Sequence, residues 1–525
     1  MPEKLSKMNK EASIAHQKMR PEGIYHVDEI DDRSRRKLRL KIIKNLLIVG
    51  FAFMLLFTAY LAVQNLQSSL NAEAGLGTAS LSVIYIGLIL SCLFVPVPLM
   101  DMLGCKWTIC LSILCYSPYM AANFYASWWT LMPTAFILGV GGAPLWAAKC
   151  TYLSQIASDY ADLTKQSREA VISMFFGVFF MFFQSGQIWG NLISASIFKT
   201  DIVDRDVDEE EITDCGVHFC PDHVLNNTNL ERPHDNQVYL LFGIYTGCSL
   251  AAAAVVAIFF DQLEQDVTRM SKTSGFKLDF SLLPDTFKHL RHLNQLLLIP
   301  LTIYSGIEEA FAAAEFTKAY ITCSWGIHMV GYIMISYGVV DALWSLCGGQ
   351  LTKFTGRIPM FVLGTVVHAA AILTMFLWQP HPDEKAVYFI IVIAWAIGDG
   401  VWQTQINSLY GSLFVEQKAA FSNYRLWESL GFVIAFACEQ YLCTRPKLWM
   451  TLGWLTAGMI LYGIVEFRNR NRTAGDSASA QPDVENVPLA SIHQKEMGDK
   501  KAQNGSDNPK CEGDTLTEAT KDEET

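Results

Sequence analysis

Apolar runs long enough to cross a bilayer recur about twelve times along this chain, with centres near Phe53, Ile89, Cys115, Gly141, Phe183, Ala251, Tyr304, Gly338, Val367, Ile393, Phe436 and Gly458. Continuous runs of this length span as helices, which satisfy their own backbone hydrogen bonds where no water is present. The expected fold class is therefore an all-α membrane protein whose main surroundings are the lipid bilayer. Composition agrees: 51% of the 525 residues are hydrophobic and 17% charged, against roughly 25% charged in an average soluble domain. An ordinary soluble enzyme is excluded. The net charge of -11 collects in the C-terminal tail and one loop, so it gives no sign of a nucleic-acid partner.

The first span sets the expected orientation. Arg33, Arg35, Arg36, Lys37, Arg39, Lys41 and Lys44 precede apolar Leu46 to Leu61, followed by Gln64, Asn65, Gln67, Ser68, Ser69 and Asn71. Positive charge before a span holds that end in the cytosol, and no cleavable signal peptide precedes it. An even number of spans returns the C-terminus to the same side. Lys106, Lys165, Arg168, Lys353, Arg357, Lys418, Arg425 and the Arg468, Arg470, Arg472 cluster agree with this threading, while Lys199, Arg232, Lys385 and Lys447 fall outside. Tyr60, Gln64, Gln67 and Asn71 share one helical face, which must meet protein or water.

A polar connector carrying Lys272, Lys277, Lys288 and Arg291 divides the spans six and six. The expected organisation is a cytosolic tail (1–43), a first six-helix bundle (44–260, with an outer loop 199–237), a cytosolic linker (261–293), a second bundle (294–467) and a disordered cytosolic tail (468–525). Corresponding inner turns read Asp101-Met-Leu-Gly104-Cys-Lys106 and Lys353-Phe-Thr-Gly356-Arg357, which marks an internal repeat. Each puts a charge three residues before a glycine and a basic residue after it. This resembles the inner-loop signature of the major facilitator superfamily and implies two pseudo-repeated six-helix bundles around a cleft, although Lys353 departs from the acidic pattern. Glycine patches at Gly139 to Gly142 and at Gly398 and Gly400, each followed by a tryptophan, fit the same duplication; close helix packing is their simpler explanation.

A narrower resemblance is carried by Phe57 to Tyr60, Gln64 to Asn71, Gly141 to Leu153, Phe182 to Asn191, Tyr304 to Glu308 and Trp402 to Gln405. Together these segments resemble the uncoordinated-93 (Unc-93-like) family, its A-type homologues in particular. The resemblance implies a membrane protein that regulates potassium channels of the two-pore-domain type, and so membrane excitability or ion balance. Alternatives are a proton-coupled carrier of a small solute or ion, and an escort of membrane receptors, the role of the family's B-type. The plasma membrane is the expected location, with endosomal or lysosomal membrane as the alternative. No catalytic residue, cofactor or metal site is expected: Walker-type, channel-filter, metalloprotease and nucleophile-elbow motifs are all missing from the sequence.

Charges at membrane depth cost about 2.5 to 3.5 kcal/mol or more unless paired or hydrated. Lys149, Glu308, Glu315, Asp341, Asp399 and Glu428 occupy such positions. By analogy with the superfamily, Gln64, Gln67, Lys149, Glu308, Glu315, Asp399 and Gln403 would converge on the cleft, with Glu308 and Glu315 on one helical face. They would bind a solute or relay a proton there, or else pair to fix helix register. His328 and His368 are better read as hydrogen-bonded core residues.

In the outer loop, Cys215 and Cys220 lie close together with His218 and His223. Their spacing in an oxidising compartment, with which the family resemblance agrees, favours a Cys215 to Cys220 disulfide over a zinc site. Asn226-Asn227-Thr228 is a glycosylation acceptor if the loop faces the lumen. Peptide-glycosidase should therefore shift the native protein's electrophoretic mobility, and Asn226→Gln should abolish that shift.

Overall fold

A computed structural model describes residues 32–198, 212–221, 228–230, 232–263, 288, 290–414 and 417–479. Asn226, the acidic stretch 204–211, most of the linker and the chain beyond 479 lie outside the described residues. The described residues up to Val465 belong to one compact unit and those after it to another. Among the described residues the elements are helical, and eleven helices are long and apolar enough to cross a membrane.

The first six spans are α1 (Asp32–Leu70), α2 (Leu76–Phe94), α3 (Pro96–Leu114), α4 (Trp128–Thr164), α5 (Arg168–Phe198) and α6 (Asp235–Phe259). The second six are α7 (Leu293–Trp325), α8 (Ile327–Thr355), α9 (Arg357–Leu377), α10 (Lys385–Leu413), α11 (Gln417–Cys438) and α12 (Thr444–Ser479). Successive spans run in opposite directions, with the reversal between the second and third falling inside α3. Two ends result: a near end, where Asp32 lies, and a far end, where α1 finishes.

Gly104 shows why the repeat was visible in the sequence. It sits inside α3 at φ 70°, ψ 170°, so the first part of α3 prolongs α2 and the true reversal falls at this glycine. Gly356, between α8 and α9, has φ 82°, ψ 172°. Both turns need a left-handed backbone that glycine adopts without a Cβ clash, which accounts for the matched motifs. Beyond them, Arg357 donates to the Ser412 hydroxyl at 3.1 Å, and Lys106 lies 5.2 Å from the Trp107 ring.

Local chemistry sets several helix limits. Ser127 caps α4 in a capping box with Thr130, satisfying donors that the first turn leaves open. At the near end, Arg39 donates to the Leu163 carbonyl at 2.9 Å, and Lys44 pairs with Asp261 at 2.7 Å. Partial burial of Asp261 works against its charge, but the Lys44 ammonium and the Asn45 amide outweigh it and hold the carboxyl below its usual range.

Helices α1 and α7 are the most enclosed. The bundles meet where α1 packs on α7, α2 on α11 and α5 on α8. Close approaches repeat across the halves: a Cβ on Gly190 would lie 2.1 Å from the Thr58 carbonyl of α1, and one on Gly431 would lie 2.2 Å from the Ile303 carbonyl of α7. The glycine patches pack in the same way, Gly139 against the Ile84 carbonyl and Gly398 against the His368 ring. Small residues let backbones touch, which is what holds helices together in lipid.

Three expectations are corrected. The eleventh span lies at Gln417–Cys438, well before a centre at Phe436, because its near half carries Lys418, Arg425 and Glu428 and so lacks the apolar signal. The last helix continues through Ser479 into the segment read as disordered; extending an existing helix costs far less than starting one. Cys215 and Cys220 do not pair with each other. Cys215 bonds Cys323 at the end of α7, and Cys220 bonds Cys443 just before α12. Their side chains point to two different helix ends, which sequence proximity cannot reveal.

Both bonds join the first half of the chain to the second. A protein cut once within 264–287 should therefore migrate as one species without reductant and as two with it. A Cys215 to Cys220 bond would release two fragments in either case.

Candidate functional site

The polar residues expected to converge separate into four groups. The first is an amide cluster near the far end of the first bundle. Gln67 donates to Asn123 at 2.9 Å, Asn71 donates to Gln67 at 2.7 Å and to Asn123 at 2.9 Å, and Asn123 donates to the Tyr119 carbonyl at 2.8 Å. These amides tie α1 to the segment after α3, with Gln64 buried one turn away. Asn65 reaches Asn191 of α5 at 3.3 Å.

Lys149 forms the second group. It is 1% exposed and makes no ion pair among the described residues. Its ammonium instead lies 4.4 Å from the Phe179 ring, 4.6 Å from Trp146, 4.9 Å from Phe180 and 5.3 Å from Phe176. Each such contact is worth roughly 0.5 to 2 kcal/mol, so four are comparable with the insertion cost of the charge. Aromatic faces thus take the place that a carboxylate partner would fill. Arg425 of α11 lies 5.6 Å from the same Trp146 ring, so this tryptophan carries a cation from each bundle.

The third group gathers acids at mid-depth in the second bundle. Trp395 donates to Glu308 at 2.8 Å, Tyr337 to Asp399 at 2.7 Å and Gln403 to Glu309 at 3.3 Å. Arg425 and Tyr424 each reach Glu428 at 2.6 Å, and Tyr424 contacts Gln403 at 3.4 Å. Asp341 is buried on α8. The Glu308 and Asp399 carboxyl groups lie within hydrogen-bonding reach of each other. Nearby, His368 contacts the Tyr304 hydroxyl at 2.6 Å and the Trp395 carbonyl at 2.8 Å, the satisfied core role expected of it.

Glu315 belongs to the fourth group and does not share a face with Glu308. From Phe311 to Thr322 α7 is a π-helix, whose wider i→i+5 turns shift the register. Glu315 is thereby turned toward α11 and α12, where it bonds Lys447 and Thr444. Lys447 also pairs with Glu439 at 3.1 Å, and Lys318 with Glu439 at 3.6 Å. Two acids and two bases make a buried network beside a cavity of about 10 Å³.

Glu309 and Arg425 were missed in the sequence. Glu309 was overshadowed by its neighbour Glu308, and Arg425 was read as an inner-loop charge. The Arg425-Glu428 spacing of i, i+3, which allows pairing on one helix face, was the available signal. Among the described residues no group of three or more His, Cys, Asp or Glu side chains is arranged to hold a metal.

Twelve long helices among the described residues, in two repeated bundles with charges gathered where the bundles and their inner helices meet, define a protein of the major facilitator fold. Solved structures agree on the fold: a mutant of the nucleoside transporter NupG superposes with a TM-score of 0.55 at 12% identity, covering 81% of this chain and 99% of that one. The xylose transporter XylE from E. coli gives 0.54 at 12% identity, covering 81% and 98%. Residues 67–467 match the family described as ion channel regulatory protein UNC-93, and the chain belongs to that family. It is 47% identical to protein unc-93 homolog A of Xenopus laevis, over 82% of this chain and 94% of the relative. The putative potassium channel regulatory protein unc-93 of Caenorhabditis elegans is 34% identical, over 82% of this chain and 62% of the relative.

The ion network makes a direct prediction. Glu315→Gln should destabilise the detergent-solubilised protein by about 3 kcal/mol, because Lys447 loses a buried counter-charge. Adding Lys447→Met should recover part of that loss, since Lys318 and Glu439 stay paired. Additive losses in thermal unfolding would contradict the network.

Proposed function

We propose that this protein is a regulatory partner of potassium channels of the two-pore-domain type, acting at the plasma membrane with both termini in the cytosol. The observation that carries this reading is the family match across both bundles, together with 34% identity to a nematode relative named as a putative potassium channel regulator. The pattern of buried charge supports it. Lys149 is held by rings and Arg425 by Glu428, an arrangement suited to fixing helices against one another.

A second reading is a proton-coupled carrier. It is favoured by the facing carboxyl groups of Glu308 and Asp399 at mid-depth and by a fold that solved carriers share. Recording each two-pore-domain channel with and without this protein separates the two. The regulatory reading predicts that the current of at least one channel changes at unaltered channel surface level. It is lost if no current changes while proteoliposomes holding this protein alone show pH-dependent solute uptake.

A further inference from the structure

Between α5 and α6 the described residues rest on the second bundle, not only on the one that emits them. Residues 212–221 lie across the far end of the second bundle, with Ile212 and Phe219 buried. Gln379 donates to the carbonyls of Ile212 at 2.9 Å, Thr213 at 3.2 Å and Cys215 at 3.3 Å. The Thr444 amide donates to the Phe219 carbonyl at 2.9 Å, and the Lys318 ammonium lies 5.6 Å from the Phe219 ring. Two disulfides then fasten the strap, one to the end of α7 and one to the start of α12. Its return is held as well, Asn229 donating to the Cys323 carbonyl at 3.1 Å. Six residues later α6 begins at Asp235, a stretch reaching at most about 20 Å.

Beside the strap the two bundles touch directly. Ser68 of α1 meets Thr317 of α7 at 3.5 Å, and Ser69 meets Thr322 at 3.0 Å; none of the four is more than 3% exposed. Gln440, following α11, donates to the Gly75 carbonyl and contacts Thr78 at 3.4 Å. The cleft is therefore shut at this end by a seam between α1 and α7. The α7 side of the seam is the π-helical stretch, a geometry that helices adopt rarely and often at functional sites.

We propose that the strap is a covalent lock on this seam, holding the far end of the chain shut. By bonding the ends of α7 and α12 to a single short segment, the two disulfides remove the separate movement that π-helical α7 would need in order to leave α1. A carrier must expose its site at both ends in turn, so a locked far end turns a carrier fold into a fixed body. This stands on the seam and strap, whether or not the partner is a channel.

The test is the reactivity of a thiol placed in the seam, Ser68→Cys, toward a small hydrophilic maleimide in unsealed membranes, read at position 68 by peptide mass. With both disulfides intact the thiol should be nearly unreactive. In a background lacking both pairs (Cys215→Ser with Cys323→Ser, Cys220→Ser with Cys443→Ser) it should react at least about tenfold faster, as a seam free to open predicts. If that background fails to fold, the same comparison is made on folded Ser68→Cys protein before and after reduction with a phosphine. Equal rates with and without the disulfides overturn the proposal, whether both are fast, showing an open seam, or both slow, showing a seam that needs no lock.

Discussion

A polar side chain at bilayer depth has no water to turn to, and this fold answers by supplying partners from neighbouring helices. Gln67, Asn71 and Asn123 bond one another. Glu428 takes Arg425, and Glu315 and Glu439 share Lys447. Each of these contacts links two helices or two turns, so the polar groups that make the spans costly to insert also set how the helices meet. Lys149 has the most economical solution, four aromatic faces in place of an anion.

The same constraint decides what the sequence could reveal. Span number and the two-fold repeat were legible because a helix needs about 20 apolar residues to cross and because Gly104 and Gly356 occupy the same left-handed turn. The eleventh span was misplaced because Arg425 and Glu428 cancel within it, and hydropathy counts charges without seeing that they pair. Glu308 and Glu315 parted company because a π-helix lies between them, and an α-helical periodicity cannot register such a change. The disulfide partners were hidden for a further reason. Cys323 and Cys443 stand 108 and 223 residues from Cys215 and Cys220, and only the assembled far end brings them together.

The site thus has a charge asymmetry that composition conceals. The first bundle contributes Lys149 in its cage, the second a set of acids with Arg425 among them, and Trp146 carries a cation from each side. Fold and family point in different directions here, since the solved neighbours are carriers while the family is described as regulating ion channels. A shared fold does not fix a shared activity. A far end closed by the α1 to α7 seam and crossed by a doubly bonded strap is more easily reconciled with a regulator than with a carrier.

Reconstitution in a single bilayer tests this account most directly: potassium flux through a purified two-pore-domain channel, alone and together with this protein. The account predicts that the protein alone passes no potassium and that its presence changes the channel's flux. Unchanged channel flux, with the protein by itself moving potassium or another solute, would contradict it.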